Sequence, residues 1–449
     1  MAVLLLIIAA GCAGRGTPAA TSTPAGAESI TPAPSDLAGE RIGLEMRDSP
    51  EMIESEDLAV AGGARWFRIP FRWRLLEPRR SDPPEYQWER YDGLIQELSR
   101  RGLRVILTVR DDPEWASAGV CGQFSDEGAA AFPEFLEAAV RRYSAAPYGV
   151  LHWELYNEPD NASKTYVSQG GCWGGSPAAY AEMLGQAYAA IKRANGEAVV
   201  VFGGIALEKI EGDPFNVRFL EEVLAAGGGP YFDWMNFHYY PAFSYRWDRF
   251  GPGVAGKAAY VRKLLADAGV EKPLICTEIG QPSAGPPAEG YSDEKAMAHV
   301  YKGLVQAIAA DLRVVIWHRF QDQEGDTRLY GLLSPEGTPK PAYQAFQTLT
   351  HNLAQAHYQG PFENPAGNRG LAAYRFFLED SGDGYTTLVA AWCADEGQSA
   401  TLVLQATSVS ILDVRGRETV VADGGPADRE GQAGRIGLSI SDEPVLLRY

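Results

Sequence analysis

Basic side chains, cysteines and long apolar runs are all scarce in this chain. Lys and Arg number 40 against 58 Asp and Glu, a formal net charge of −18. That balance supplies no basic face for nucleic-acid phosphates or an anionic membrane surface, and it fits a neutral partner better than an acidic polymer. Acidic surfaces also serve plain solubility. The apolar opening run, MAVLLLIIAAGCAGRG, falls well short of the ~20 residues that span a bilayer. It reads as an export signal over 1–12, although no Lys or Arg precedes it. Ala9-Ala10-Gly11-Cys12 has the form of a bacterial lipobox, which would lipidate Cys12. The expected location is therefore outside the cytoplasm, secreted or lipid-anchored at a cell surface, with membrane contact through that anchor only.

Cysteine scarcity excludes more. There are five, and no CxxC or HExxH spacing, so no zinc site is expected. Cys121 (GVCGQF) and Cys172 (GGCWGG) sit in Gly-flanked loops and are a candidate disulfide pair in an exported protein. Cys276 and Cys393 lie inside apolar runs and read as small buried hydrophobes. No GxGxxG turn follows the first β-rich run, which argues against a dinucleotide-binding sheet. No cofactor is expected, and nothing in the sequence indicates an oligomeric state.

What is present is rhythm. After a Thr/Pro/Ala-rich linker over 13–40, β-rich runs recur at 42–46, 65–69, 104–109, 149–156, 199–204, 233–239, 273–279 and 313–320. Between them lie segments with apolar residues at three- and four-residue spacing, such as FPEFLEAAVRRYSA and EKAMAHVYKGLVQAIAA. Strand–helix alternation over 41–352 predicts an α/β chain folded as a (β/α)8 TIM barrel. Over 353–449 the helices stop and turn signals such as Asp380-Ser381-Gly382-Asp383-Gly384 separate short strands. That stretch predicts a small C-terminal antiparallel β-sandwich, most simply a packing module, because its only tryptophan, Trp392, lies inside a strand run.

In such a barrel, functional groups stand at the carboxyl ends of the strands. The fourth run ends Asn157-Glu158-Pro159, and the seventh carries Thr277-Glu278-Ile279-Gly280. Two carboxylates facing one cleft are what glycosidic cleavage needs, one to protonate the leaving oxygen and one to attack the anomeric carbon. The two motifs together resemble the signature of clan A glycoside hydrolases, in particular members of families 39 and 5 of cellulase or β-xylosidase type. The resemblance spans about residues 41–352.

It implies a retaining enzyme acting on the β-glycosidic bonds of a neutral poly- or oligosaccharide, with Glu158 as acid/base and Glu278 as nucleophile. It further implies that Arg68 (WFRIP) contacts the nucleophile, that Tyr240 donates to it, and that His238 supports the acid/base side. Asn157 would bind the sugar 2-hydroxyl, and Trp317, at the end of the eighth run, would be the platform under the sugar. Trp115, Trp173 and Tyr239 are further candidate platforms. Glu45 and Arg47 could reach the substrate from the first strand. The third run ends VRDDPEWA, without the histidine common in family 5, so Arg110, Asp111 or Trp115 would line the cleft there. Two alternatives use the same framework. One is a non-catalytic carbohydrate-binding surface lipoprotein; the other is a transglycosylase working through the same carboxylate pair.

Overall fold

The computed structural model describes residues 36–46, 55–117, 122–162, 173–207, 215–242, 247–379 and 382–449. Cys12, Arg47 and the Cys121–Cys172 pair lie outside the described residues. Eight strands form one parallel sheet: β1 (Ile42–Glu45), β2 (Trp66–Arg72), β3 (Arg104–Arg110), β4 (His152–Asn157), β5 (Val199–Gly204), β6 (Met235–Tyr239), β7 (Leu274–Ile279) and β8 (Leu312–Trp317). Their order is β5-β4-β3-β2-β1-β8-β7-β6. Parallel bridges Val201–Trp234 and Ile205–Phe237 join the two edges, so the sheet closes into a (β/α)8 TIM barrel.

Two of the barrel's helices start at side-chain caps. The helix Asp126–Ser144 starts at Ser125, whose Oγ accepts from Gly128 N at 3.0 Å, and Ser292 caps the helix Asp293–Ala309 in the same way. A helix over Gly253–Asp267 has a thin stripe, diluted by Ala and Gly, and its Lys257 is buried with Nζ donating to Ala206 O at 2.5 Å. Its periodicity is correspondingly weak.

After the helix Pro341–Leu353 the chain enters the antiparallel module. Its strands are β9 (Ala356–Pro361), β10 (Leu371–Leu378), β11 (Thr387–Cys393), β12 (Ser399–Leu404), β13 (Ser408–Leu412), β14 (Glu418–Ala422), β15 (Ile436–Ser441) and β16 (Val445–Arg448). A six-stranded sheet, β14-β13-β16-β11-β10-β9, is covered by the pair β12-β15. Period-two alternation gives the large sheet two buried faces. On β11, Val389 and Ala391 join the sandwich interior, whereas Leu388, Ala390 and Trp392 join the core that runs into the barrel. Trp392 is buried and stacks on Tyr374, so the module's tryptophan is packing.

Candidate active site

The barrel interior is layered, and strand parity sets the layers. At the bottom Trp66, Ile106, Val201, Ile275, Val314 and Ile316 form a closed apolar plug. Gly43 passes this layer where a Cβ would strike Trp66 and Ile316, so only glycine fits. One inward step higher the residues turn polar: Arg68, Thr108, Glu154, Asn236 and Thr277 are all buried. Glu154 takes Arg68 in a two-point clamp, with Nε to Oε2 at 2.7 Å and Nη2 to Oε1 at 2.9 Å. Thr108 Oγ1, Asn236 Nδ2 and Gly204 N also donate to Glu154, which satisfies this buried anion. Removing either member of such a pair typically costs about 3–5 kcal/mol, because the other is left as an unpaired buried charge.

The third layer is the cleft floor. Arg68 Nη1 reaches Glu278 Oε1 at 2.7 Å and Glu45 Oε1 at 3.1 Å, and its Nη2 donates to Asn157 Oδ1 at 2.5 Å. With the amide oxygen of Asn157 fixed by Arg68, its NH2 group is left to serve the cleft that it lines. Tyr240 donates its hydroxyl to Glu278 Oε2 at 2.5 Å. His238 Nδ1 lies 3.1 Å from Glu158 Oε1 and 3.4 Å from Glu278 Oε2, so it stands between the two carboxylates. Gly204 leaves room for that imidazole; a Cβ there would overlap the ring. An irregularity in the β6–β7 register turns Thr277 and Glu278 both inward, as Cys276 and Ile279 face the core. Glu158 follows β4 with φ of +43°, next to Tyr156 at +70°. This left-handed turn carries the carboxylate past the strand and over the opening.

Glu278 is buried, which by itself would raise its pKa. The charges on His238, His318 and Arg68 and the Tyr240 hydroxyl outweigh burial and hold it far below the usual carboxylate range. Glu278 is thus ionised and hydrogen-bonded at any pH near neutrality. Burial and the Glu278 charge push the Tyr240 phenol well up, so it stays a donor.

His238 and His318 are raised above the ordinary histidine value. Burial lowers both, but Glu278 and the hydrogen bond that Nδ1–H donates to Glu158 reverse it at His238, and Glu45 and Glu278 do so at His318. A folded-state pKa raised above the unfolded 6.5 gives stability that is complete below that pH and lost as pH rises through the folded value. Glu278 acts in the opposite sense: its contribution is present above 4.5 and fades as pH falls toward its folded value. Thermal melts should therefore show Tm falling as pH rises above about 6.5, with a shallower fall in His318→Gln. An unchanged slope in that variant would mean that His318 is uncharged in the folded protein.

The aromatic assignments need correcting. Trp317 is fully buried, donates Nε1–H to Tyr330 O at 3.2 Å and packs on His299. Along β8, Val314 and Ile316 face the barrel interior, so Trp317 faces the helix layer and the next inward position belongs to His318. His318 lines the cleft, with Nδ1 against Glu45 Oε2 and 3.9 Å from Glu278 Oε2. Tyr239 faces outward against His299 for the same reason of parity. Trp173 is buried among Phe124, Tyr156 and Tyr180. Trp115 packs edge-on against Trp73 and donates to Glu77 O at 3.1 Å. None of these four rings is a wall of the cleft. Of the three candidates after β3, Arg110 lines it, while Asp111 is buried beside it.

The cleft has a volume of about 420 Å³, and its walls include Glu45, Asn157, Glu158, Glu278 and His318. Two triplets, Glu45–Glu278–His318 and Glu158–His238–Glu278, bring ligand-type atoms within 4.8 Å of one another. Arg68, at 2.7 Å from Glu278, already supplies positive charge there.

A parallel eight-stranded barrel that gathers two glutamates, a buried arginine and a tyrosine at its carboxyl end defines a glycoside hydrolase of the (β/α)8 class. The chain belongs to the cellulase family, glycosyl hydrolase family 5, whose model matches residues 45–286, more than half of the chain. No curated protein matches it in sequence. Among solved structures it is similar to a family 39 glycoside hydrolase from the gut symbiont Bacteroides cellulosilyticus WH2. The TM-score is 0.67 and the identity 19%, over 92% of this chain and 82% of that one. A glucosidase from Croceicoccus marinus gives 0.62 and 17% identity, covering 92% and 95% of the two chains. A GH30 endoxylanase from Clostridium papyrosolvens C71 gives 0.59 and 11%, covering 91% and 95%. At these identities the likeness concerns the fold, which in each case extends over the barrel and the C-terminal module together. The ligand of the enzyme is accordingly a carbohydrate.

Proposed function

We propose that this enzyme cleaves β-glycosidic bonds of a poly- or oligosaccharide with retention of configuration, by double displacement. The observation that carries the reading is the spacing of the carboxylates: an oxygen of Glu158 and one of Glu278 lie within 4.8 Å of each other, with His238 beside both. A retaining pair stands about 5–5.5 Å apart, and an inverting pair about 6.5–9.5 Å apart to admit a water. Glu278, ionised and fixed from two sides, attacks the anomeric carbon as the glycosidic C–O bond breaks. Glu158 passes its proton to the departing oxygen. Glu158 then takes a proton from water, the water oxygen bonds to the anomeric carbon, and the ester bond to Glu278 breaks to return its carboxylate. Asn157, its amide oriented by Arg68, serves the sugar hydroxyl next to the anomeric centre, where an added hydrogen bond strengthens as positive charge builds.

Nuclear magnetic resonance of the first-formed product tests this reading. A β-glycoside should release the β-anomer before mutarotation mixes the two. Initial release of the α-anomer would rule out the double displacement.

A further inference from the structure

An aromatic wall would offer a sugar a flat apolar face, and this cleft has almost none. Of the described residues that line it, His318 carries the only aromatic ring. Trp317, expected as the platform, faces the helix layer instead. The ring that stands beside the nucleophile is therefore an imidazole, with Nδ1 3.9 Å from Glu278 Oε2.

That ring is held from one side. Its Nδ1 pairs with Glu45 Oε2, Glu45 Oε1 receives Arg68 Nη1 at 3.1 Å, and Arg68 is clamped on Glu154 in the layer below. Tyr240 and Tyr330 close on it edge-to-face, with ring centroids 5.9 and 5.2 Å away. All of the ring's polar contacts run through Nδ1. Nε2 makes no hydrogen bond to the described residues. Unlike Nε2 of His299 it is not sealed from solvent, so it opens on the cleft that the ring lines. An imidazole fixed through one nitrogen presents the other to a ligand.

We propose that His318 Nε2 binds one hydroxyl of the sugar whose anomeric carbon Glu278 attacks, with Glu45 as the positioning residue that holds the ring. His318 follows β8, across the barrel from β4, which carries Asn157. The hydroxyl is therefore a different one from the hydroxyl beside the anomeric centre that Asn157 serves. An imidazolium donates from Nε2, and a neutral ring with its proton on Nδ1 accepts there; a hydroxyl answers either. Glu45 and Glu278 outweigh burial and favour the charged ring, whose hydrogen bond is the stronger kind. A site that hydrogen-bonds a substrate hydroxyl rejects the analogue lacking it far more strongly than an apolar surface does. The inference rests on the hydrolase reading above and adds a residue that sets sugar specificity.

Nitrophenyl β-glucoside, β-galactoside, β-mannoside and β-xyloside first identify a sugar that is turned over. Its monodeoxy analogues, each lacking one hydroxyl other than that beside the anomeric carbon, are then compared by kcat/KM. Deoxygenation changes the glycoside's own reactivity equally for every enzyme form, so only the difference between forms reports the contact. In the wild type at least one deoxygenation should lower kcat/KM by about tenfold or more, the size of one charge-assisted hydrogen bond. His318→Asn keeps an amide for Glu45 but places nothing at Nε2, and His318→Phe keeps only the ring. In both, that penalty should shrink by about tenfold, whereas His318→Gln, whose amide reaches the cleft, should keep part of it. Inhibition constants of the free sugar and its deoxy forms give the same ratio for a variant too slow to assay. A merely structural role would lower parent and analogue together and leave each penalty as in the wild type. That result, or wild-type indifference to every deoxygenation, overturns the contact and leaves the retaining hydrolase intact. Absence of turnover on all these glycosides and on β-glucan, xylan and mannan overturns both.

Discussion

Glu278→Ala is expected to lower kcat on a cleaved β-glycoside by about 10⁴-fold or more, with the fold retained. The carboxylate does not act alone. Arg68 and Tyr240 each hold one of its oxygens, and both histidines lie near it, so the oxygen that attacks is presented with little reorganisation. Truncation removes the attacking group but leaves Arg68 anchored on Glu154, Glu45 and Asn157, which is why the barrel should survive. The cavity left behind is lined by cations and donors. A small anion such as azide should enter it, restore part of the turnover and give the α-glycosyl azide, because it attacks from the face that Glu278 vacated. Near-normal kcat in Glu278→Ala, measured on the same substrate, would remove Glu278 from the chemistry.

The second large effect concerns Glu158→Gln, and it depends on the leaving group. A sugar or alkyl alcohol leaves poorly without a proton, so its release should slow by about 10³-fold, within the usual range for general acid catalysis. A dinitrophenolate needs little protonation. Its first step should change little, while the second step lacks a base to activate water. Stopped-flow traces of the variant should then show a burst of dinitrophenolate followed by slow turnover. Equal slowing for both leaving groups would contradict an acid/base role. His238 bears on the same step, since its Nδ1 is within hydrogen-bonding reach of Glu158 and close to Glu278.

The barrel was legible because its strands and most of its helices differ in period, and the two glutamates because their motifs end strands four and seven. Parity was harder. The run Val314-Val315-Ile316-Trp317 is apolar on both faces, as strands buried on both sides are, so nothing in it marks which side chain faces inward. Trp317 therefore read as the cleft residue, and His318, one position on, was passed over. Glu154 was missed for a related reason: within an apolar strand it looked like a lapse in pattern, whereas it is the anchor for Arg68. Asn236 and Thr277 complete the same buried network, and their pairing across β6 and β7 depends on a register irregularity that no local signal announces.

The most direct test of the central claim is to trap the glycosyl-enzyme. A 2-deoxy-2-fluoro β-glycoside with an activated leaving group slows both steps by withdrawing charge from the oxocarbenium-like state, but the good leaving group still departs. Peptide mass spectrometry after incubation should find one fluorosugar per chain, attached to the peptide containing Glu278 and lost on reactivation with an acceptor sugar. A substrate that is turned over yet leaves no adduct, or an adduct on Glu158, would contradict the double displacement with Glu278 as nucleophile.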